Sequence, residues 1–131
     1  MWMLDTNICI YIIKRKPPRV HARLAMCPID QIVLSSVTLG ELRHGVEKSS
    51  SRERNERVLH QFLAHMEVLP WDRVAATHYG GIRAFLERRG TPIGNMDLMI
   101  AAHARSLHAT LVTHNGCEFQ RVPDLLWEDW V

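Results

Sequence analysis

The chain has 131 residues, of which 47% are hydrophobic and 23% are charged, so we expect one globular domain over 1–131 with its own core. Its net charge of +2 is too small to bind nucleic acid by bulk electrostatics, so such binding would require local basic patches. No apolar run is long enough to span a bilayer, and the three cysteines form no CxxC pair. These features exclude a disulfide framework and a structural zinc site, and they favour the reducing cytoplasm.

The first half of the chain alternates short apolar strands with helices. Its predicted elements are, in order, a strand over 2–4, helices over 8–14 and 19–26, a strand over 31–35, and helices over 38–46 and 52–65. Asn7 is the expected cap of the first helix, and Pro17-Pro18 ends it.

The second half continues the same alternation. Its predicted elements are a strand over 68–69, a helix over 72–89, a helix from Asn95 or Asp97 to 107, and strands over 110–113 and 125–127. Helices between short apolar strands are typical of an α/β fold, in which a parallel sheet is covered on both faces.

Polar side chains gather where the predicted strands end. Asp5 ends the first strand, Glu41 follows the second in the first turn of a helix, and Asp97 opens the helix before the fourth. Asn115 and Glu118 follow that fourth strand. Because ligand sites in parallel sheets lie beyond the carboxyl ends of the strands, we expect these side chains to converge there.

Each of these residues also has a structural interpretation. Asp5 can cap the first helix, and Glu41 completes a capping box with Thr38. Asp97 is favoured by the dipole of its helix, and Glu118 suits a solvated loop. Only their joint placement favours a common site.

Converging carboxylates repel one another, and a divalent cation removes that repulsion. Oxygen ligands without a His–Cys set select Mg²⁺ or Mn²⁺ over zinc. Such a site activates water and stabilises a phosphoryl transition state, although it does not identify the substrate.

Four ordered segments then resemble one known family. They are 3–7 (MLDTN), 35–42 (SSVTLGEL), 94–104 (GNMDLMIAAHA), and 111–119 (LVTHNGCEF) with 127–130 (WEDW). Together these segments resemble the PIN-domain family, and within it the VapC-type ribonuclease toxins of bacterial toxin–antitoxin pairs. The resemblance spans nearly the whole chain.

The resemblance implies a three-layer α/β/α sandwich around a mainly parallel sheet, forming a single PIN-like nuclease domain. It implies that Asp5, Glu41 and Asp97 are the acids that hold Mg²⁺, for which Mn²⁺ substitutes. It also implies that the hydroxyl side chains of Thr6 and Thr113 position the acids or the phosphate.

One position departs from the family pattern. Asn115 stands where many members have a fourth acid, and an amide is a weaker ligand without charge. Glu118 is the candidate for the missing carboxylate, either directly or through water. His114, Gly116 and Cys117 also differ from the residues most common there.

The function implied by the resemblance is metal-dependent cleavage of RNA that leaves a 5′-phosphate and a 3′-hydroxyl and so blocks translation. The implied substrate is the anticodon stem-loop of initiator tRNA, with messenger RNA or a ribosomal RNA loop as alternatives. The implied partners are a VapB-like antitoxin and a second copy of the chain, with no role for a membrane.

Basic residues near the first helix are candidates for RNA contact. Lys14, Arg15 and Lys16 form a cluster with no acid within it, whereas Glu53 and Glu56 interleave the arginines around residue 54. RNA contact and a solvated helix face both remain open for the first cluster, and the solvated face is favoured for the second.

Three other protein classes compete with this interpretation. A phosphoacceptor receiver domain needs a late lysine, but the last lysine is Lys48. A haloacid-dehalogenase-like phosphatase needs a second aspartate where Asn7 stands. A degenerate PIN module that binds RNA or protein without cutting remains as the alternative, with Asn115 as its support.

Overall fold

A five-stranded sheet forms the centre of the molecule. The structure is a computed structural model that describes residues 1–131. The strands are β1 (Trp2–Leu4), β2 (Ile32–Ser35), β3 (Glu67–Leu69), β4 (Thr110–Val112) and β5 (Trp127–Glu128). Their order is β3-β2-β1-β4-β5, and every neighbouring pair is parallel. The first strand therefore lies in the middle, between β2 and β4.

Seven α-helices connect and cover the strands. They are α1 (Thr6–Lys14), α2 (Pro18–Ala25), α3 (Ser36–Lys48), α4 (Arg52–Leu63), α5 (Arg73–Arg88), α6 (Asn95–Ser106) and α7 (Gly116–Phe119), with a 3-10 turn over Ile29–Gln31. None of these helices has the length and apolar character needed to cross a membrane.

Two hydrophobic cores lie on opposite faces of the sheet. Alternating side chains of β1 separate them, because Met3 packs with α5 and α6 while Leu4 packs with α1 and α3. Val33 and Leu34 of β2 divide in the same way. Since both faces are buried under helices, the predicted three-layer α/β/α sandwich with a parallel sheet is confirmed.

The structure corrects several predicted boundaries. The cap of α1 is Asp5 rather than Asn7, because the Asp5 side chain accepts the Ile8 N–H. The predicted last strand at 125–127 instead covers Trp127–Glu128. The short helix α7 was not predicted at all.

The capping box proposed for α3 is also wrong. This helix begins at Ser36, and its cap is Ser35, whose hydroxyl accepts the Val37 N–H at 3.1 Å. Thr38 is buried, and its hydroxyl has no hydrogen-bond partner. The Glu41 side chain is therefore not used in capping and is free to take part in tertiary contacts.

Candidate active site

Asp5 lies at the carboxyl end of the central strand β1 and is only 5% exposed. Its Oδ1 accepts the Ile8 N–H at 2.9 Å, and its own N–H donates to the Val112 carbonyl at 3.0 Å. Burial raises the pKa of Asp5 above its ordinary value, and the nearby charge of Glu41 adds to this rise. Hydrogen bonds from Thr113 and Ile8 oppose the rise by stabilising the carboxylate. Asp5 is therefore a buried acid held in one orientation.

Glu41 reaches the same edge of the sheet from α3. Its Oε1 accepts a hydrogen bond from Thr6 Oγ1 at 2.6 Å, across 35 residues of sequence. Thr6 is the first residue of α1 and follows Asp5 directly. The contact therefore ties Glu41 to the segment that carries Asp5, and it explains why an acid on α3 turns away from its own helix.

Asp97 lies in the first turn of α6, where the helix dipole favours a negative charge. Its pKa is nevertheless raised from 3.8 to about 6. Burial is the largest cause, followed by a hydrogen bond with Glu118 that requires a proton and by the charges of Glu118, Asp5 and Glu41. The other three carboxylates therefore all lie close enough to Asp97 to raise its pKa.

Asn115 and Glu118 form the side of the site that follows β4. The Asn115 Nδ2 donates to Glu118 Oε2 at 3.1 Å, and the Asn115 N–H donates to Thr113 Oγ1 at 2.9 Å. The amide thus turns its donor toward the carboxylate of Glu118, which itself faces Asp97. Asn115, which stands where many family members have a fourth acid, therefore orients the neighbouring Glu118.

The carboxylates form one cluster but do not enclose a ready metal site. No group of three or more histidine, cysteine, aspartate or glutamate side chains is arranged to hold a metal ion. The donor chemistry still suits a hard divalent ion, because the cluster consists of carboxylates and one amide with no thiolate. Burial is the main cause of the raised pKa of Asp97, and the neighbouring carboxylates add to it a repulsion that a cation would relieve.

A histidine–aspartate pair lies at the rim of the cluster. His114 Nδ1 is 3.0 Å from Asp129 Oδ2, and the His114 ring meets the Tyr11 ring edge-on with centroids 6.4 Å apart. His114 is near enough to Asp5 for its charge to favour the Asp5 carboxylate. The sequence marked His114 only as a departure from the family pattern, and it gave no signal for Asp129.

The candidate RNA-contact residues lie at the far end of α1. Lys14, Arg15 and Lys16 are exposed, and a helix of this length places them about 13 Å from its amino end. Lys14 nevertheless lines a groove of about 270 Å³ whose wall includes Glu41. The basic cluster is therefore separate from the acids but borders the same groove.

Arg52 of the other arginine cluster, and the acid Glu56 that interleaves it, are engaged in ion pairs. Arg52 contacts Glu47 at 2.8 Å, and Arg43 contacts Glu56 at 2.6 Å, all on α3 and α4. These exposed pairs agree with the solvated-face interpretation that the sequence favoured for this cluster.

Comparison with known proteins places this geometry in a family. The PIN domain family matches residues 2–125. The chain is 50% identical over 129 residues to the tRNA(fMet)-specific endonuclease VapC of Shigella flexneri, covering 98% of this chain and 97% of that protein. It is 42% identical over 131 residues to Ribonuclease VapC2 of Rickettsia felis, covering 99% and 98%.

Solved structures agree with the sequence comparisons. DNA-bound VapBC from Salmonella typhimurium superposes with a TM-score of 0.94 at 47% identity, covering 99% of this chain and 98% of that chain. VapBC2 from Rickettsia felis, bound to a fragment of its promoter, superposes with a TM-score of 0.93 at 41% identity, covering 99% and 98%. The resemblance predicted from four segments is thus confirmed over the full length, and the chain belongs to the PIN-domain family, within its group of VapC ribonucleases.

Proposed function

We propose that this chain is a metal-dependent endoribonuclease and the toxin of a toxin–antitoxin pair. The observation that carries the proposal is the convergence of Asp5, Glu41, Asp97 and Glu118 at one edge of the sheet. Two members of this cluster, Asp5 and Asp97, have raised pKa values, and clustered carboxylates with perturbed pKa values are typical of catalytic sites. The names of the relatives, which are ribonucleases and an endonuclease, support the same chemistry.

The cluster fits a bound Mg²⁺, with Mn²⁺ as its substitute. Asp5, Glu41 and Asp97 would hold the ion, and Glu118 would add a carboxylate from the helix that follows β4. When bound, such an ion activates water and stabilises negative charge on the phosphate. The surplus negative charge of the cluster is the property of this chain that fits a cation.

The residues around the acids fix their orientation. Thr6 holds one oxygen of Glu41, the Ile8 N–H holds one oxygen of Asp5, and Asn115 holds one oxygen of Glu118. Asp5 also accepts a hydrogen bond from Thr113, and Glu118 shares one with Asp97. Preorganised carboxylates lower the reorganisation needed when the phosphodiester enters, which is a main source of catalytic rate. Cleavage is then expected to yield a 5′-phosphate and a 3′-hydroxyl.

The substrate and partners follow from the relatives. Since the Shigella relative is named for tRNA(fMet), we propose initiator tRNA as the substrate, cut in the anticodon stem-loop in the cytoplasm. Since the solved relatives are VapBC complexes, we propose a VapB-like antitoxin as the inhibitor and a homodimer of this chain as the active form.

A cleavage assay tests the activity. Purified chain, free of any antitoxin, is incubated with initiator tRNA, an elongator tRNA and total bacterial RNA in Mg²⁺, Mn²⁺ or EDTA. We expect discrete fragments that require a metal ion and disappear in Asp97→Asn. Asp72→Asn is the matched control, because Asp72 is an exposed cap of α5 away from the cluster and asparagine also caps helices.

The outcomes separate the proposals. Cleavage of initiator tRNA alone supports both the activity and the substrate, and mapping of the fragment ends checks the products. Cleavage of other RNA in total extracts keeps the activity and rejects the substrate. No cleavage with either metal by folded protein rejects the nuclease and favours the binding module.

A further inference from the structure

A buried hydrogen bond connects two of the helices that carry the acids. His103 on α6 is 2% exposed, and its Nδ1 lies 2.8 Å from the hydroxyl of Ser35, which is fully buried. Ser35 is the cap of α3. Since α6 carries Asp97 and α3 carries Glu41, this bond connects the two helices on which these candidate metal ligands lie.

One direction of this bond uses the full capacity of the Ser35 hydroxyl. Its oxygen accepts the Val37 N–H at 3.1 Å, and its single hydrogen is donated to His103 Nδ1 when the ring carries its proton on Nε2. Burial lowers the pKa of His103, which keeps the ring neutral and one nitrogen available as an acceptor. His103 therefore completes the cap of α3 from the neighbouring helix.

A second connection runs parallel to the first. Trp71 donates its backbone N–H to the hydroxyl of Ser36 at 3.0 Å and its indole Nε1–H to the Met99 carbonyl at 2.9 Å. Met99 lies on α6 between Asp97 and His103, and Ser36 is the first residue of α3. The start of α3 is thus fastened to α6 at two points.

We infer that His103 is a positioning residue that fixes the separation of Glu41 and Asp97. The inference rests on the proposed metal-dependent function. At 1.5 Å of rise per residue, Glu41 lies about 9 Å along α3 from Ser35. A small tilt of α3 about its cap therefore moves the Glu41 carboxylate by a large fraction of an ångström, and errors of about 1 Å at an active site cost up to about 100-fold in rate.

A purely structural role makes a different prediction. A leucine fills a volume similar to that of the imidazole, so a role in packing alone would be met by His103→Leu. The positioning role requires an acceptor for the Ser35 hydroxyl. Asparagine places its Oδ1 near the position of Nδ1 and keeps that acceptor, so His103→Asn is the conservative variant.

The test compares His103→Leu and His103→Asn with the wild type in three measurements. Mn²⁺ affinity of the RNA-free protein is measured by calorimetry, kcat and KM are measured on the RNA that the wild type cleaves, and the thermal midpoint reports stability. Ile82→Val, a fully buried change on α5, is the control for a modest loss of core packing.

We expect His103→Leu to bind Mn²⁺ at least fivefold more weakly and to lose at least tenfold in kcat, with KM nearly unchanged. His103→Asn should recover most of both losses, and Ile82→Val should lose neither. If folded His103→Leu keeps the Mn²⁺ affinity and kcat of the wild type, the positioning role is rejected.

The same experiment distinguishes the two proposals. Wild type that binds Mn²⁺ but cleaves no RNA rejects the nuclease, while the Mn²⁺ affinities of the variants still decide the role of His103. Wild type that binds no Mn²⁺ rejects both, because no pair of metal ligands then remains to be positioned.

Discussion

Asp5 has two roles that different substitutions can separate. It caps α1 through the Ile8 N–H, and it contributes a buried carboxylate to the cluster. Asparagine retains a side-chain oxygen for the cap but removes the charge, whereas alanine removes both.

We predict that Asp5→Asn abolishes RNA cleavage without lowering the free energy of unfolding below that of the wild type. Asp5→Ala should also abolish cleavage and lose about 1 kcal/mol of stability with the cap. Urea titrations of both variants, with cleavage measured on the same preparations, check the prediction. Equal stability of the two variants would contradict the capping role.

The raised pKa of Asp97 predicts a pH dependence of stability. The unfolded chain loses this proton near the ordinary pKa of 3.8, whereas the folded chain keeps it up to about pH 6. Between these values the folded state binds more protons, so the contribution of Asp97 to stability falls as the pH rises toward 6 and remains unfavourable above it.

We predict that metal-free Asp97→Asn is more stable than the wild type at pH 7.5 and gains less at pH 5. Because Asp97 is only half-buried, the difference at pH 7.5 should be about 1 kcal/mol. Thermal midpoints at the two pH values check this. The lowered pKa values of His78 and His103 act in the opposite direction but are common to both proteins. A difference that does not change with pH would contradict the prediction.

Among individual residues, Asn115 shows the limit of sequence reasoning. The pattern marked it as a departure from the family, and it offered Glu118 as the substitute acid. Only the structure shows that the Asn115 amide donates to Glu118 and so orients it. Hydrogen-bond direction depends on three-dimensional placement, which a list of residue types does not contain.

At the level of elements, α7 begins at one close contact. Gly116, its first residue, packs against the ring of Trp127 on β5, and a Cβ at this position would lie 2.5 Å from that ring. The helix carries Glu118, so any displacement of its start moves an acid of the cluster.

We predict that Gly116→Ala lowers stability by about 1–3 kcal/mol through overpacking and reduces cleavage by displacing Glu118. The double variant Gly116→Ala with Trp127→Leu should recover part of the lost stability and part of the lost cleavage. Gly80→Ala is the matched control, since a Cβ there meets open space in the middle of α5 and alanine favours the helix. Thermal midpoints and cleavage rates check the series. Full activity of Gly116→Ala would show that α7 tolerates the shift.

The basic end of α1 predicts a change in salt dependence. If Lys14 and Arg15 contact RNA phosphates, replacing both with alanine weakens cleavage at low salt and lowers the slope of affinity against salt by about 1–2. Replacing Arg54 and Arg57 on α4 is the control, because that face carries interleaved acids. Binding of RNA to Asp97→Asn at several salt concentrations measures the slope without cleavage. Unchanged slopes would show that the α1 cluster is a solvated face.

Elements with long periodic patterns were predictable, and short ones were not. The sequence predicted α5 and α6 nearly to their ends because their apolar residues repeat at helical spacing. It missed α7, which has four residues and depends on the Trp127 ring for its position. The start of α3 was misplaced because Ser35 and Thr38 are both good caps. In the structure Ser35 is the cap, and its hydroxyl is hydrogen-bonded to the buried His103.

For the whole molecule, the predicted parallel sheet was enough to bring the acids to one edge. Asp5 and Thr113 follow neighbouring strands, and the strand order places both in the middle of the sheet. The sequence could not predict that order, because short strands of similar composition can pair in several arrangements. The distances among the acids depend on the strand order and on contacts such as that of Thr6 with Glu41.

Nearly the full length of the chain separates Asp5 from Glu118, and β1 acquires its two neighbours only when β2 and β4 have both been added. A fragment that ends before Glu118 therefore lacks at least one of the four carboxylates. The activity is therefore expected to be all-or-none during synthesis of the chain. It is absent from the nascent polypeptide on the ribosome, and it appears only after the last third has been synthesised and has folded. An inhibitor that is already present during that interval would meet the site as soon as it forms.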